Sequence, residues 1–154
     1  MDVFEISNSC AFSGHRILGK DFNYQELKKV IESVIDRGYT TFLVGMAVGF
    51  DTECFNILNK LKKDKNIKII ACIPCKNQDK NFKKEQKEIY KENLSKADEI
   101  ICLNEEYIDG CMHQRNRFMV DNSTLLITYL RYKKGGTLYT VNYAKKKERE
   151  IIYI

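Results

Sequence analysis

Five short stretches of this 154-residue chain carry residues suited to holding an anion. They are "FSGHR" with Ser13, Gly14, His15 and Arg16; "GMAVGFDT" with Gly45, Met46, Gly49, Asp51 and Thr52; "IPCKNQ" with Pro74 and Gln78; "MHQRNR" with Arg115, Asn116 and Arg117; and "KKGGT" with Gly135, Gly136 and Thr137. Glycine lets the backbone turn tightly and approach a ligand closely. A helix that starts just beyond such a turn offers unpaired N–H groups and the positive end of its dipole. Arginine makes planar, bidentate contact with phosphate or carboxylate. His15 and His113 can donate to phosphate or exchange protons near neutral pH.

"GMAVGFDT" poses a question, because it places acid where a phosphate wants positive charge. It lacks the lysine of a Walker motif and a full G-x-G-x-x-G, so the pattern argues against P-loop nucleotide hydrolysis. Two readings stay open. Asp51 accepts hydrogen bonds from ribose hydroxyls beside a phosphate turn, or it caps a helix after a plain turn. "KKGGT" repeats the device, and Lys133 and Lys134 add positive charge. For the arginines the rival reading is structural: one of them pairs with Asp121 or Asp98. No third ligand accompanies the histidines, so no metal site is expected. The single C-x-x-C, Cys72 and Cys75, has no second pair and is read as buried thiols at a strand end.

These stretches need elements to position them. Apolar, β-rich runs stand at 7–14, 39–44, 67–73, 97–103, 124–130 and 150–154. Helical patterns lie between them. Leu27, Val30, Ile31, Val34 and Ile35 recur at helical spacing before the stop at Gly38. Further helices are expected at about 50–63, 80–94, 113–122 and 138–147. Such alternation predicts an α/β fold, a Rossmann-like three-layer sandwich with a mainly parallel sheet. Sheets of this kind bind ligands outside the carboxyl ends of their strands. Each of the five stretches follows a strand.

Composition sets bounds. Hydrophobic and charged fractions of 44% and 31% are those of a globular protein, and residues 1–154 are read as one domain. No apolar run reaches the ~18 residues that a membrane span needs. The amino terminus, "MDVFEISNSC", is acidic and has no signal pattern, so a cytoplasmic location is expected. The net charge of +5 is spread over mixed-sign lysine runs, read as solvated helix faces. That charge suits an anionic small ligand without demanding nucleic acid.

"CAFSGHR", "GMAVGFDTECF", "IPCKNQ", "GCMHQRNRFMVDNSTLLITYL" and "GGTLYTVNYA" follow one another along nearly the whole chain. Together they resemble the YpsA-like branch of the SLOG superfamily, which also holds the DNA-processing protein DprA and the Lonely Guy nucleotide phosphoribohydrolases. The resemblance implies a Rossmann-like fold and a pocket for nucleotides or their derivatives. The Lonely Guy motifs "R-K-x-x-M" and "P-G-G-x-G-T-x-x-E" find a match in Arg115 and, shortened, in Gly135, Gly136 and Thr137. The catalytic glutamate of the second motif would fall at Thr140 and is missing, which leaves the enzymatic reading open. Asp51 and Arg115 are the candidate catalytic residues.

The expected function is therefore binding of a nucleotide-type molecule, such as an ADP-ribose derivative or a cyclic nucleotide, in a sensing or sequestering role. The alternatives are N-glycosidic hydrolysis of a nucleotide, and DprA-like binding of single-stranded nucleic acid or regulation of a partner. No cofactor is expected. A homo-oligomer, most simply a dimer, is what the resemblance implies.

Overall fold

The structure, a computed structural model, describes residues 5–154. The first four residues of the acidic amino terminus lie outside that range. Six strands and five helices alternate: β1 (Ser9–Gly14), α1 (Tyr24–Asp36), β2 (Thr41–Val44), α2 (Phe50–Leu61), β3 (Lys68–Ile73), α3 (Lys84–Lys96), β4 (Glu99–Cys102), α4 (Cys111–Asp121), β5 (Leu125–Tyr129), α5 (Gly135–Lys146) and β6 (Glu150–Tyr153). All six strands are parallel, in the order β4-β3-β2-β1-β5-β6. The expected Rossmann-like sandwich is what forms, and the sheet is wholly parallel.

The central strands are buried on both faces, which is why they read as unbroken apolar runs. Side chains alternate across the sheet. Cys10 and Phe12 point to the face covered by α1, α2 and α3, where Leu27, Ile31, Val34, Phe55, Leu58 and Tyr90 pack. Ala11, Leu43 and Cys72 point to the other face, against Met119 and Val120 of α4 and Val141 and Ala144 of α5. Cys72 and Cys75 are buried free thiols.

The chain steps outward from β1 to β4, then returns across the sheet to place β5 on the other side of β1. The order of connection reverses between β1 and β5. A crevice opens at such a reversal, because the loops on either side lead away from each other.

Three boundaries depart from expectation. Residues Ile6–Asn8 form a 3-10 turn ahead of β1. Helix α3 starts at Lys84, not near 80, because residues 75–82 wind through successive turns closed by Gln78 N–H to Cys75 O and Phe82 N–H to Asp79 O. Helix α5 starts at Gly135, so the glycines form its first turn and do not precede it. Among the described residues, no helix is long and apolar enough to cross a membrane.

Candidate functional site

A cleft of about 280 Å³ opens at the carboxyl ends of β1 and β2. Ser13 and Gly14 form its floor, with Phe12 beneath. The β2–α2 turn contributes Gly45 and Ala47, and the first turn of α2 contributes Asp51. Met112, His113, Arg115 and Asn116 come from α4, and Lys134 to Thr137 from the start of α5. Arg16 stands at the mouth and is exposed.

The α5 end is built to meet an anion. Gly135 has φ +89°, a conformation that glycine adopts at no steric cost. Lys134 at the N-cap position makes no side-chain cap hydrogen bond. The first-turn N–H groups lack intrahelical partners, as at every helix start. A Cβ added to Gly136 would meet only the amide nitrogen of Asn116, at 3.9 Å.

The β1 and β2 turns are locked together. A Cβ on Gly49 (φ +85°) would lie 2.1 Å from the Arg16 carbonyl oxygen, and one on Gly14 would lie 2.4 Å from the Phe50 ring. Phe50 N–H donates to His15 O at 3.2 Å. These two glycines therefore serve protein packing, and through it the shape of the cleft.

Arg115 is only 5% exposed. Its Nη1 donates to the carbonyl oxygens of Gly45 and, at 3.3 Å, Cys72, while its Nε donates to Asn116 Oδ1 at 2.8 Å. Burial pushes its pKa down, and Asp51 opposes that shift. Asp51 is 7% exposed. Its Oδ2 accepts from Ala47 N–H at 3.1 Å, and its Oδ1 is buried without a partner. Burial pushes its carboxyl pKa up to about 6, with Arg115 the largest opposing influence. The two side chains converge on Gly45: a Cβ there would lie 2.9 Å from Arg115 Nη1 and 3.1 Å from Asp51 Oδ2. Asp51 is the second residue of α2 and bonds backward to the turn, so it braces the turn and does not cap the helix.

His15 departs from its expected use. Its Nε2 accepts from Arg131 N–H at 2.7 Å and Tyr132 N–H at 3.2 Å, which makes the ring neutral with its proton on Nδ1. Burial and the nearby Arg131 charge push its pKa down. The imidazole thereby anchors the loop that leads into α5. His113 packs its ring 4.0 Å from that of Tyr139, and its Nδ1 is buried without a partner.

Six expected site residues do not line the cleft, among them Gly49, which packs against the Arg16 backbone. Met46 belongs to the core. Thr52 turns its hydroxyl to Ala47 O at 3.4 Å. Pro74 offers its carbonyl to Asn104 Nδ2 at 2.8 Å. Gln78 is buried, donating to Gly45 O at 3.0 Å and accepting from Tyr90 OH at 3.0 Å. Arg117 donates to Tyr139 OH at 2.8 Å. The expected aspartate partners are also taken: Asp121 by Tyr143 OH, Asp98 by Lys62. Phe12, Ala47 and Met112 line the cleft unanticipated, because small or apolar side chains carry no chemical signal. Thr140 donates to Gly136 O at 2.8 Å and leaves Asp51 as the one carboxylate among the described cleft residues.

Comparison with known proteins places this geometry. The family model described as YspA SLOG family matches residues 20–154. The chain belongs to the YspA SLOG family. It is similar, at 36% identity over 137 residues, to the uncharacterized SPbeta prophage-derived protein YoqJ of Bacillus subtilis, covering 79% of each chain. It is 25% identical over 128 residues to the UPF0398 protein YpsA of the same organism, covering 80% of this chain and 71% of that one. Among solved structures, DNA processing protein A of Streptococcus pneumoniae superposes with a TM-score of 0.73 at 20% identity, covering 94% of this chain. DNA processing protein A of Helicobacter pylori, described for its single-stranded DNA binding mode, gives 0.67 at 18%. The chain spans 49% and 64% of the lengths of those two proteins, and they share its fold. The SLOG fold thus carries the cleft at its topological switch point.

Proposed function

We propose that this SLOG domain binds a nucleotide or nucleotide-derived anion, such as an ADP-ribose derivative or a cyclic nucleotide, from a cytoplasmic pool. The observation that carries this is the uncapped start of α5 opening into the same cleft as Ser13, Gly14 and Arg16. Phosphate sits on the Gly135–Thr137 turn, held by N–H groups and the helix dipole. Arg16 adds an exposed positive charge. Asp51, in the cleft wall, stands beside the sugar. Calorimetry with ribose 5-phosphate and a panel of nucleotides tests the proposal: absence of heat with every one of them refutes it. Chromatography of the same mixtures reads turnover, which Asp51 would have to support. We also expect a homodimer, and light scattering decides it.

A second reading rests on an aromatic row that leaves the cleft. His113 and Tyr139 lie 4.0 Å apart, Tyr139 and Tyr143 stack at 6.5 Å, and Lys147 Nζ lies 5.5 Å from the Tyr143 ring centroid. Bases of a single strand stack on such rows. The DprA of Helicobacter pylori, to which the fold is similar, is described as binding single-stranded DNA. Affinity for an oligonucleotide that does not weaken as salt rises overturns this reading.

A further inference from the structure

Behind the β2–α2 turn lies a second cavity, of about 160 Å³, between α2 and α3. Met46, Phe55, Phe82, Ile89 and Tyr90 make its body apolar. Phe82 and Tyr90 meet edge to face, with 5.5 Å between ring centroids. A dry cavity of about 150 Å³ holds one benzene-sized molecule. The volume here therefore suits a single six-membered ring.

The cavity also has polar groups, two carboxylates among them. Asp51 stands in the wall that it shares with the cleft, and Oδ1 of this buried carboxylate has no partner. Glu53 adds a second carboxylate and Asn93 a buried amide. A buried acceptor left empty is costly, so the lining favours an occupant that brings N–H donors. A surface groove connects the two spaces. Arg16 and Met112 belong to both groove and cleft, while Val48, Phe82 and Gln86 belong to both groove and cavity.

We propose that this cavity takes one uncharged six-membered heteroaromatic ring bearing N–H donors, the ring end of the ligand whose phosphate rests on α5. The inference rests on the phosphate reading above for its second half only. A cytidine mononucleotide, whose ring carries an exocyclic amino group with two N–H donors, has this chemistry.

The test compares ribose 5-phosphate, cytidine 5′-monophosphate and free cytosine on the full chain, by calorimetry and by amide chemical shifts. The expected result is that the mononucleotide binds at least tenfold tighter than ribose 5-phosphate and shifts the Tyr90 and Asn93 resonances. Ile89→Trp, which fills the cavity from a half-exposed helix position, removes that gain and leaves ribose 5-phosphate affinity unchanged. Equal affinities in the wild type, or a gain that survives Ile89→Trp, overturns the ring site while the phosphate reading stands. If ribose 5-phosphate fails to bind but cytosine at millimolar concentration shifts Tyr90 and Asn93, the phosphate reading falls and the ring site stands. If no probe shifts these resonances, the ring site falls.

Discussion

Arg115 donates from its buried guanidinium to the carbonyl oxygen of Gly45, joining α4 to the end of β2. Gln78 donates to the same oxygen. The arginine that matches the Lonely Guy motif is thus committed to protein acceptors, and Arg16 is the exposed arginine of the cleft.

Arg115 and Arg16 should separate cleanly. Arg115→Met leaves Asp51 without its opposing charge and removes donors from two carbonyls, so stability should fall by about 3 kcal/mol in urea unfolding. Arg16→Ala should change stability by less than about 0.5 kcal/mol and weaken ribose 5-phosphate binding about tenfold. Equal stability losses in the two variants would contradict the assignment.

Asp51 should make stability depend on pH. Its carboxyl is raised from 3.8 to about 6 in the folded protein. The folded state therefore holds the proton more tightly, and this contribution is complete below pH ~4 and lost as pH rises through ~6. The shift corresponds to about 3 kcal/mol. The stability of wild type minus that of Asp51→Asn should fall by about that amount between pH 4 and pH 7. A difference that stays flat with pH would mean that the carboxyl is not buried as described.

Gly136→Asp should move stability and binding in opposite directions. An acid in the first turn of α5 favours the helix by about 0.3–1 kcal/mol, and the position has room for a side chain. The same charge repels phosphate, so affinity for ribose 5-phosphate should drop more than tenfold. Thermal unfolding and calorimetry on one preparation read both effects.

His15 should govern the loop before α5. Its depressed pKa means that the neutral ring, accepting from Arg131 and Tyr132, is the folded form. The stabilisation is present above the ordinary value of 6.5 and lost as pH falls through the folded pKa. In hydrogen exchange corrected for intrinsic rates, protection of the Arg131 and Tyr132 amides should decline on acidification. His15→Ala should abolish that protection at neutral pH. Unchanged protection in the variant would show that backbone contacts alone hold the loop.

Much of the fold was legible because periodicity reports burial directly. Leu27, Ile31 and Val34 announced α1, and the unbroken apolar runs announced strands covered on both faces. Which glycine turns face a common cleft followed from the rule for strand ends. The division of labour inside the cleft was not legible. Arg115 and Arg117 differ by two positions, yet one is sealed between strand ends and the other lies on Tyr139. Gln78 looked like a ligand contact and is a prop for Gly45.

The sequence by itself determined the alternation of strands and helices, the family and the five stretches that gather at the strand ends, because these depend on local pattern and order along the chain. Only the tertiary structure decided what each polar group does. A hydrogen bond such as that of Arg115 to Gly45 spans 70 positions, and no local pattern encodes its partner. The same holds for the apolar cavity behind Asp51, whose walls come from α2, α3 and the segments that precede each of them. Its size depends on how closely those elements pack, a property of three-dimensional distance rather than of spacing along the chain.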